Sequence, residues 1–205
     1  MKKTVVCNIP MKNNVEAVVY TSDDISVPAS DRKVRYAINA FLEKTMSAQD
    51  EINFILLTQN DDYSCAEVNT KLFIDEISEI NKNIGAILSF KKISADFSQK
   101  PSIHEQLLAD IVDELAVNDH VLADITYGSK NIPIVLFCAF EFAEKFLNCE
   151  IENIIYGQAS FDEQKPVNTK ICDMIPLYYL NSVNSAIRCD DPKKAKQMLK
   201  VLLSL

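Results

Sequence analysis

Residues 121–133, VLADITYGSKNIP, join a buried strand to a helix. Val121–Thr126 is a short apolar run, which is typical of a strand buried on both faces. Gly128 permits a tight turn after the strand, and Pro133 fits the first turn of a helix, where no amide donor is needed. The stretch therefore predicts one strand–turn–helix unit of a parallel α/β sheet.

The same alternation of strand and helix extends in both directions from this unit. Five short apolar runs predict strands, over Thr4–Ile9, Ile52–Leu57, Ala86–Phe90, Val121–Thr126 and Ile151–Tyr156. Four segments between them have apolar residues at helical spacing, over Asp31–Met46, Tyr63–Asn81, Ser102–Val117 and Asn131–Leu147. The order of these elements predicts an α/β, Rossmann-like fold, with a mostly parallel sheet of five to six strands and helices on both faces.

The rhythm changes after the fifth strand. Phe161–Thr169 is polar and contains a proline, so a loop or hairpin tip is expected there, and Lys170–Asp173 is a candidate sixth strand. Ile175–Arg188 and Pro192–Leu205 predict two C-terminal helices. The fourth helix of the main pattern, Asn131–Leu147, is apolar nearly all round and is expected to be deeply buried.

Composition and charge exclude several classes of protein. Hydrophobic residues make up 48% and charged residues 24% of the 205 positions, as in an ordinary globular domain. No apolar run approaches the roughly 18 residues of a membrane-spanning helix, and the apolar N-terminal stretch is too short for a signal peptide, so no membrane contact and a cytoplasmic location are expected. The net charge of −8 argues against duplex nucleic acid as a partner, although a local positive pocket for a small anion remains compatible with it.

Neither a metal site nor a cofactor site is predicted. The six cysteines contain no C-x-x-C pair and have only His104 and His120 to join them, so buried reduced thiols are expected. The phosphate loops G-x-G-x-x-G and G-x-x-x-x-G-K-[ST] are both absent. His104 is interpreted as a surface residue at the start of a helix, and His120 as lying on the edge of the sheet opposite to any site at the strand ends.

The loop after the fourth strand has the chemistry of a phosphate site. Ligands of such folds bind at the carboxyl ends of the strands. There, Thr126 and Ser129 supply hydroxyls, Lys130 supplies a cation, and the helix that follows supplies N-terminal amides. Asp124 is expected to fix the turn rather than to act as an acid. The alternative interpretation is a capped helix with an incidental lysine.

The loop after the first strand is expected to face the same ligand, because the first and fourth strands of a doubly wound sheet are often central neighbours. Asn8 and Lys12 would then contact it; the alternative is a polar surface turn. Arg32 and Arg35 belong to a small basic cluster at the start of the first helix. Such a cluster is usually a solvated face, but its position makes either arginine a candidate phosphate partner.

Four motifs resemble the CRISPR-associated Rossmann-fold (CARF) domains of type III systems. Residues 124–133, DITYGSKNIP, carry the most specific similarity, together with the helix that follows them. Residues 154–157 (IIYG), 5–10 (VVCNIP) and 34–40 (VRYAINA) are also similar.

The resemblance covers roughly Lys2 to Tyr179. It implies a CARF ligand-binding domain over 1–180 and a C-terminal helical extension over 181–205. No arginine stands at the R-x(4–6)-H spacing of the ribonuclease effector that often follows such a domain. The chain is therefore interpreted either as a stand-alone CARF protein or as the sensor part of a longer one.

CARF domains bind cyclic oligoadenylates across a two-fold dimer interface, so the resemblance implies a homodimeric sensor of a type III CRISPR response. Cyclic tetra-adenylate is favoured over hexa-adenylate as its ligand. The family's contacts come mainly from the loops after the first and fourth strands. The expected ligand-binding residues are Asn8, Ile9, Pro10, Met11, Lys12, Arg35, Thr126, Tyr127, Gly128, Ser129, Lys130, Asn131, Tyr156 and Gly157.

A stand-alone ring nuclease is the alternative function. It would cleave the same ring slowly and without metal, as a ribose 2′-hydroxyl attacks the adjacent phosphate and leaves a 2′,3′-cyclic phosphate. Lys130 would then stabilise charge and Ser129 would position the phosphate, with no histidine expected in the site as a general base. A mononucleotide enzyme is a third hypothesis, by fold analogy alone. The sequence leaves open the ring size, whether the ring is cleaved, and whether the native chain ends at Leu205.

Overall fold

The computed structural model describes residues 1–12, 15–60, 64–163 and 165–204. The chain divides into two compact units, Met1–Asp173 and Met174–Leu205. The first unit contains the sheet and the helices that cover it. The second contains two helices, and the boundary taken from the sequence, residue 180, lies within the first of these.

A six-stranded sheet forms the centre of the first unit. In chain order its strands are β1 (Lys2–Asn8), β4 (Glu51–Asn60), β5 (Ile87–Asp96), β6 (His120–Asp124), β7 (Glu150–Asp162) and β8 (Lys165–Asp173). Two short strands, β2 (Val18–Val19) and β3 (Lys33–Val34), form a separate antiparallel pair. The spatial order of the large sheet is β5-β4-β1-β6-β7-β8.

All neighbours in this sheet are parallel except β7 and β8. β1 lies at the centre, with Val5 opposite Phe54 of β4 and Leu122 of β6. The buried run in β1 has no polar alternation, as expected for a strand covered on both faces. The predicted α/β, Rossmann-like architecture is confirmed.

Four helices cover the sheet, and they are α1 (Ala37–Thr45), α2 (Ala66–Asn81), α3 (Pro101–Glu114) and α4 (Ile132–Phe146). α1 packs on α2, and α3 packs on α4. The connections through α1 and α2 run from β1 toward β5, and those through α3 and α4 run from β5 back toward β7. Because right-handed crossovers that run in opposite directions place their helices on opposite faces of a sheet, α1 and α2 form one outer layer and α3 and α4 form the other. Prolines in the first turns of α3 and α4 cost no hydrogen bond there.

The structure corrects the predicted start of α1 and defines the hairpin after β7. α1 begins at Ala37 and not at Asp31, because Lys33–Val34 pair with β2 instead. Of the two alternatives expected for 161–169, the hairpin tip is confirmed and the loop is not: β7 and β8 form a long antiparallel hairpin that turns at Glu163, where φ is 45°, and most of the segment is strand. Pro166 is compatible with β8 because this strand lies at the edge of the sheet.

The fourth helix, α4, is not buried on every side. One side packs inward and includes Leu136, Ala139 and Ala143. The opposite side leaves Ile134 66% and Phe146 61% exposed. The apolar pattern therefore combines a core face with an outward apolar face.

The second unit consists of α5 (Ile175–Ala186) and α6 (Pro192–Leu202). Asp191 caps α6, where its carboxylate accepts a hydrogen bond of 2.8 Å from the Lys193 amide. In the part of the chain that the structure describes, no helix has both the length and the apolar character needed to cross a membrane.

Candidate functional site

Asp124 fixes the turn that follows β6. One carboxylate oxygen accepts the Thr126 amide at 2.8 Å, and the other accepts the Ile38 amide at the start of α1 at 3.2 Å. Burial raises the pKa of Asp124, and the hydrogen bonds from Thr126 and Ile38 act in the opposite direction. As the sequence predicted, this carboxyl holds loops in place and is not presented to solvent.

Gly128 brings the loops after β1 and β6 into contact. Its φ is 96°, and a Cβ added to it would lie 3.2 Å from Cγ and 3.4 Å from Nδ2 of Asn8. The Asn8 side chain therefore lies directly against the turn, which is the juxtaposition expected from the strand order.

The side-chain amide of Asn8 is a buried donor that has no acceptor among the described residues. Asn8 is 3% exposed, and its Nδ2 has no hydrogen-bond partner among the described residues. Leaving a buried donor unpaired costs about 1–3 kcal/mol. The Nδ2 atom is itself buried against the turn at Gly128, so a ligand oxygen would reach it only if this turn moved.

Gly157 brings the middle of β7 to the same place. Its amide donates to Thr126 Oγ1 at 2.7 Å. A Cβ at this position would lie 2.9 Å from the Cβ of Ala37, so only glycine allows the close approach of β7 to the start of α1.

A cleft of about 900 Å³ opens beside these loops. Five predicted site residues line it: Lys12, Thr126, Tyr127, Tyr156 and Gly157. The other residues that line the cleft were not predicted from the sequence. They belong to the segment around β2 and to the β7–β8 hairpin. Those residues are Val15, Glu16, Val18, Tyr20, Ala159, Phe161, Glu163, Lys165, Pro166 and Thr169.

Phenols form the floor of the cleft. Tyr127 donates from its hydroxyl to the Arg35 carbonyl at 3.0 Å, and its ring meets Tyr36 edge-on. Burial, followed by the charge of Asp124, raises the pKa of Tyr20 to about 12. Burial raises the pKa of Tyr127 well above its ordinary value too, so both phenols stay protonated and can donate hydrogen bonds.

The turn between β6 and α4 is tied to two other elements through side chains. The backbone amide and the hydroxyl of Ser129 both approach Gln59 Oε1 of β4, at 3.1 and 2.9 Å. The hydroxyl also bonds Asn131 Oδ1, and Asn131 Nδ2 lies 2.8 Å from Nε2 of His104 on α3. The prediction that His104 lies at the start of a helix is confirmed, but its contact with the turn was not predicted. The crossover from β5 to β6 brings the start of α3 to the carboxyl ends of the strands, where His104 is half-buried.

The two predicted lysines are both exposed. Lys12 lines the cleft, and Lys130 stands in the turn and forms no ion pair with any residue in the described ranges. Neither ammonium is neutralised within this part of the chain, so both remain available to an anion.

The side chain of Asn69 on α2 stabilises the loop after β1. Asn69 was not predicted from the sequence as a site residue. Its amide donates to the carbonyls of Pro10 at 2.7 Å and Lys12 at 2.9 Å. Ile9 and Pro10 are buried, so their side chains belong to the core and not to the cleft. Met11 is half-buried, and Asn13 and Asn14 lie outside the described residues.

Arg35 is held away from the cleft. Its guanidinium lies 3.5 Å from Glu76 of α2, and its backbone amide donates to the same carboxylate at 2.9 Å. Arg32 pairs with Glu43 at 2.8 Å. The structure therefore gives both candidate arginines carboxylate partners instead of placing them with Thr126 and Lys130.

The cysteines are all free, but they are not all buried as expected. Cys7 and Cys149 are buried, whereas Cys138 is exposed on the outer face of α4. Burial raises the pKa of the Cys7 thiol. Among the described residues, no three His, Cys, Asp or Glu side chains form a group that could hold a metal ion.

The sequence matches no protein-family model, and no curated protein is significantly similar to it. The function is therefore inferred from the site itself and from the resemblance of its motifs.

Proposed function

We propose that this protein binds a cyclic oligoadenylate across a two-fold homodimer interface, as the sensor of a type III CRISPR defence response. The observation that supports this most directly is the buried, unpartnered Asn8 amide against Gly128. It is an unused donor directly beneath the turn that contains Lys130, and a phosphate oxygen held at this turn would accept its hydrogen once the turn moves.

The turn supplies the phosphate contacts in this proposal. In the first turn of α4 the Ile132 amide donates to the Ser129 carbonyl at 3.0 Å, Pro133 has no amide hydrogen, and the Ile134 amide donates to the Asn131 carbonyl at 3.1 Å, so the positive end of the helix dipole, and not a free amide of these residues, acts on an anion here. Lys130 precedes them in the turn and adds a full positive charge. A small anion needs only this local field, which is compatible with the net charge of −8.

The cleft is better suited to bases than to phosphates. Tyr127, Tyr156 and Phe161 present aromatic surface on which a purine can stack. Glu16 and Glu163 line the same cleft as Lys12 and Lys165, so the charges there balance, and a carboxylate can accept a hydrogen bond from an adenine amino group.

The outer face of α4 supports the homodimer. Ile134, Cys138, Phe142 and Phe146 follow one another at four-residue intervals and are all exposed. A stripe of this kind on a helix that starts in the site is typical of an interaction surface. In a two-fold dimer the same stripe would serve both subunits, and a symmetric ring matches such an interface.

The test is titration of the purified protein with cyclic tetra-adenylate and cyclic hexa-adenylate, followed by chromatography of the recovered ligand. Saturable binding with recovery of the intact ring is the result expected of a sensor. No binding of either ring would refute the proposal.

A ring nuclease is the second candidate. No histidine was expected near the turn, whereas Nε2 of His104 lies 2.8 Å from the side-chain amide of Asn131 beside it, so the turn that would hold the scissile phosphate is buttressed by an imidazole. In this reaction the ribose 2′-oxygen bonds to phosphorus, the bond from phosphorus to the 5′-oxygen breaks, and the departing 5′-oxygen takes up a proton. Linear products ending in a 2′,3′-cyclic phosphate in the same chromatogram would identify it.

A further inference from the structure

His104 lies in the first turn of α3, on a different element from every residue predicted for the site. It is half-buried, and its Nε2 atom lies 2.8 Å from the side-chain nitrogen Nδ2 of Asn131, at the start of α4. The contact links α3 to the turn that contains Ser129 and Lys130.

The hydrogens in this network can be counted. Ser129 Oγ has one hydrogen, but two side-chain oxygens face it, Gln59 Oε1 and Asn131 Oδ1. Gln59 Oε1 must be an acceptor, because it also receives the Ser129 backbone amide. Suppose that Asn131 Oδ1 faces the serine and that its NH₂ group donates to a His104 Nε2 without hydrogen. The single hydrogen of Ser129 Oγ can then serve either Gln59 Oε1 or Asn131 Oδ1, and the other oxygen–oxygen contact has no hydrogen.

Placing a hydrogen on Nε2 of His104 removes this conflict. The side-chain amide of Asn131 is then flipped, so that its oxygen and nitrogen exchange places. Its oxygen accepts the hydrogen of His104 Nε2, and its NH₂ group donates to Ser129 Oγ. The serine hydrogen goes to Gln59, and every contact holds one hydrogen. The ring of His104 thereby sets the direction of each hydrogen bond up to Ser129.

We infer that His104 is a positioning residue for the anion site, acting through the Asn131 amide on the turn at Ser129 and Lys130. The inference rests on the proposed function for the identity of the anion. It assigns His104 no contact with the ligand: the imidazole holds the turn in the shape that presents its amides and the Lys130 ammonium. Without it, Asn131 and Ser129 lose the partner that orients them.

Two substitutions separate hydrogen bonding from bulk. His104→Leu fills the space without a polar atom, whereas His104→Gln can place an amide hydrogen near the position of Nε2. With cyclic tetra-adenylate as the probe, we expect His104→Leu to weaken binding by about tenfold. His104→Gln should stay within about threefold of the wild type. His120→Leu, at the opposite edge of the sheet, is the control and should bind as the wild type does.

Equal affinity of His104→Leu and wild type would overturn the inference, and so would a loss as large in His104→Gln as in His104→Leu. A ligand-free measurement keeps this outcome distinct from failure of the proposed function. In ¹H–¹⁵N spectra, the backbone amide of Ser129 should shift in His104→Leu and return toward its wild-type position in His104→Gln. If the wild type binds no ring but the amide behaves in this way, the proposed ligand is wrong and the positioning role stands; an unmoved Ser129 amide refutes the role.

Discussion

Two of the three glycines in this chain lie at the candidate site, and each is there for a different physical reason. Gly128 adopts a positive φ against the Asn8 side chain. Gly157 has no room for a Cβ beside Ala37. Gly128 thus lets the turn after β6 lie against Asn8, and Gly157 lets β7 lie against the start of α1.

Replacing Gly157 with alanine is expected to destabilise the fold. The new Cβ would lie 2.9 Å from the Cβ of Ala37, so strand or helix must shift, at a cost of about 1–3 kcal/mol in the free energy of unfolding. Thermal or urea unfolding measures the change. Ser160→Ala on the same strand is the control, because the side chain of Ser160 is exposed and its replacement should leave the stability close to that of the wild type. A Gly157→Ala protein as stable as wild type would contradict the close contact.

At Asn8, binding and stability are expected to respond differently. Asn8→Ala removes a buried amide whose Nδ2 has no partner among the described residues. The relief of this unpaired donor offsets the packing that is lost, so the free energy of unfolding should change by less than about 1 kcal/mol. The affinity for cyclic tetra-adenylate should fall by about 1–3 kcal/mol, since the donor to the ligand is lost. Calorimetric titration and thermal melting of the same sample measure both quantities. A large loss of stability with unchanged affinity would remove Asn8 from the site.

At the scale of elements, Asp50 joins the start of β1 to the loop before β4. Its carboxylate accepts the Ser47 amide at 2.9 Å and lies 3.2 Å from the Lys3 ammonium. Desolvation acts to raise the pKa of Asp50, but these hydrogen bonds and the Lys3 charge outweigh it, and the pKa is lowered. The folded state therefore favours the ionised form.

This sign gives a pH dependence. A lowered pKa contributes stability above the pKa of the unfolded chain, about 3.9 for aspartate, and the contribution is lost as the pH falls through the folded value. Asp50→Asn should therefore be about 1 kcal/mol less stable than wild type at pH 7, with the difference shrinking below about pH 4. Urea unfolding at both pH values tests this, with exposed Asp113→Asn as the control that should match wild type. A constant difference across the range would exclude an ionic role.

Elements defined by local pattern were predictable, and those defined by pairing were not. The apolar runs of β1, β4 and β6 are visible in the sequence because burial on both faces removes polar residues from a strand. β8 lies at an edge and keeps polar residues such as Asn168 and Lys170, so only its last part stood out. The start of α1 depends on the pairing of β2 with β3. The residues of these two short strands have no local pattern from which this pairing could be predicted.

The site divides in the same way. Asn8 and Gly128 were predictable together, because the order of strands in a parallel sheet determines which loops meet. His104 and Asn69 were not, since each reaches the site from a helix whose rotation about its axis is set by packing. Arg35 has the residue type of a phosphate ligand, but its neighbour Glu76 comes from 41 positions further along the chain.

At the scale of the whole molecule, the outer stripe of α4 is expected to control assembly. Phe142 is 40% exposed, and its ring lies 4.7 Å from that of Phe146. Phe142→Glu should convert a dimer to a monomer in light scattering at micromolar concentration, because burying a charge without a partner is unfavourable. The matched control is Val68→Glu on α2, where an apolar side chain is 61% exposed outside the stripe. A wild type that is monomeric with and without cyclic tetra-adenylate would contradict the dimer.

The central position of β1 has a consequence for synthesis on the ribosome. β1 is the first strand made, yet one of its two neighbours is β6, and the hydrogen bond from Thr4 to Asp119 joins residues 115 positions apart. The nascent chain can pair β1 with β4 early, but the other side of β1 stays open until β6 has left the exit tunnel. Such long-range parallel pairing is slow to form, and an open central strand is a template for wrong partners. A chain interrupted before residue 120 therefore exposes the middle of its own sheet, where the apolar side chains are most concentrated.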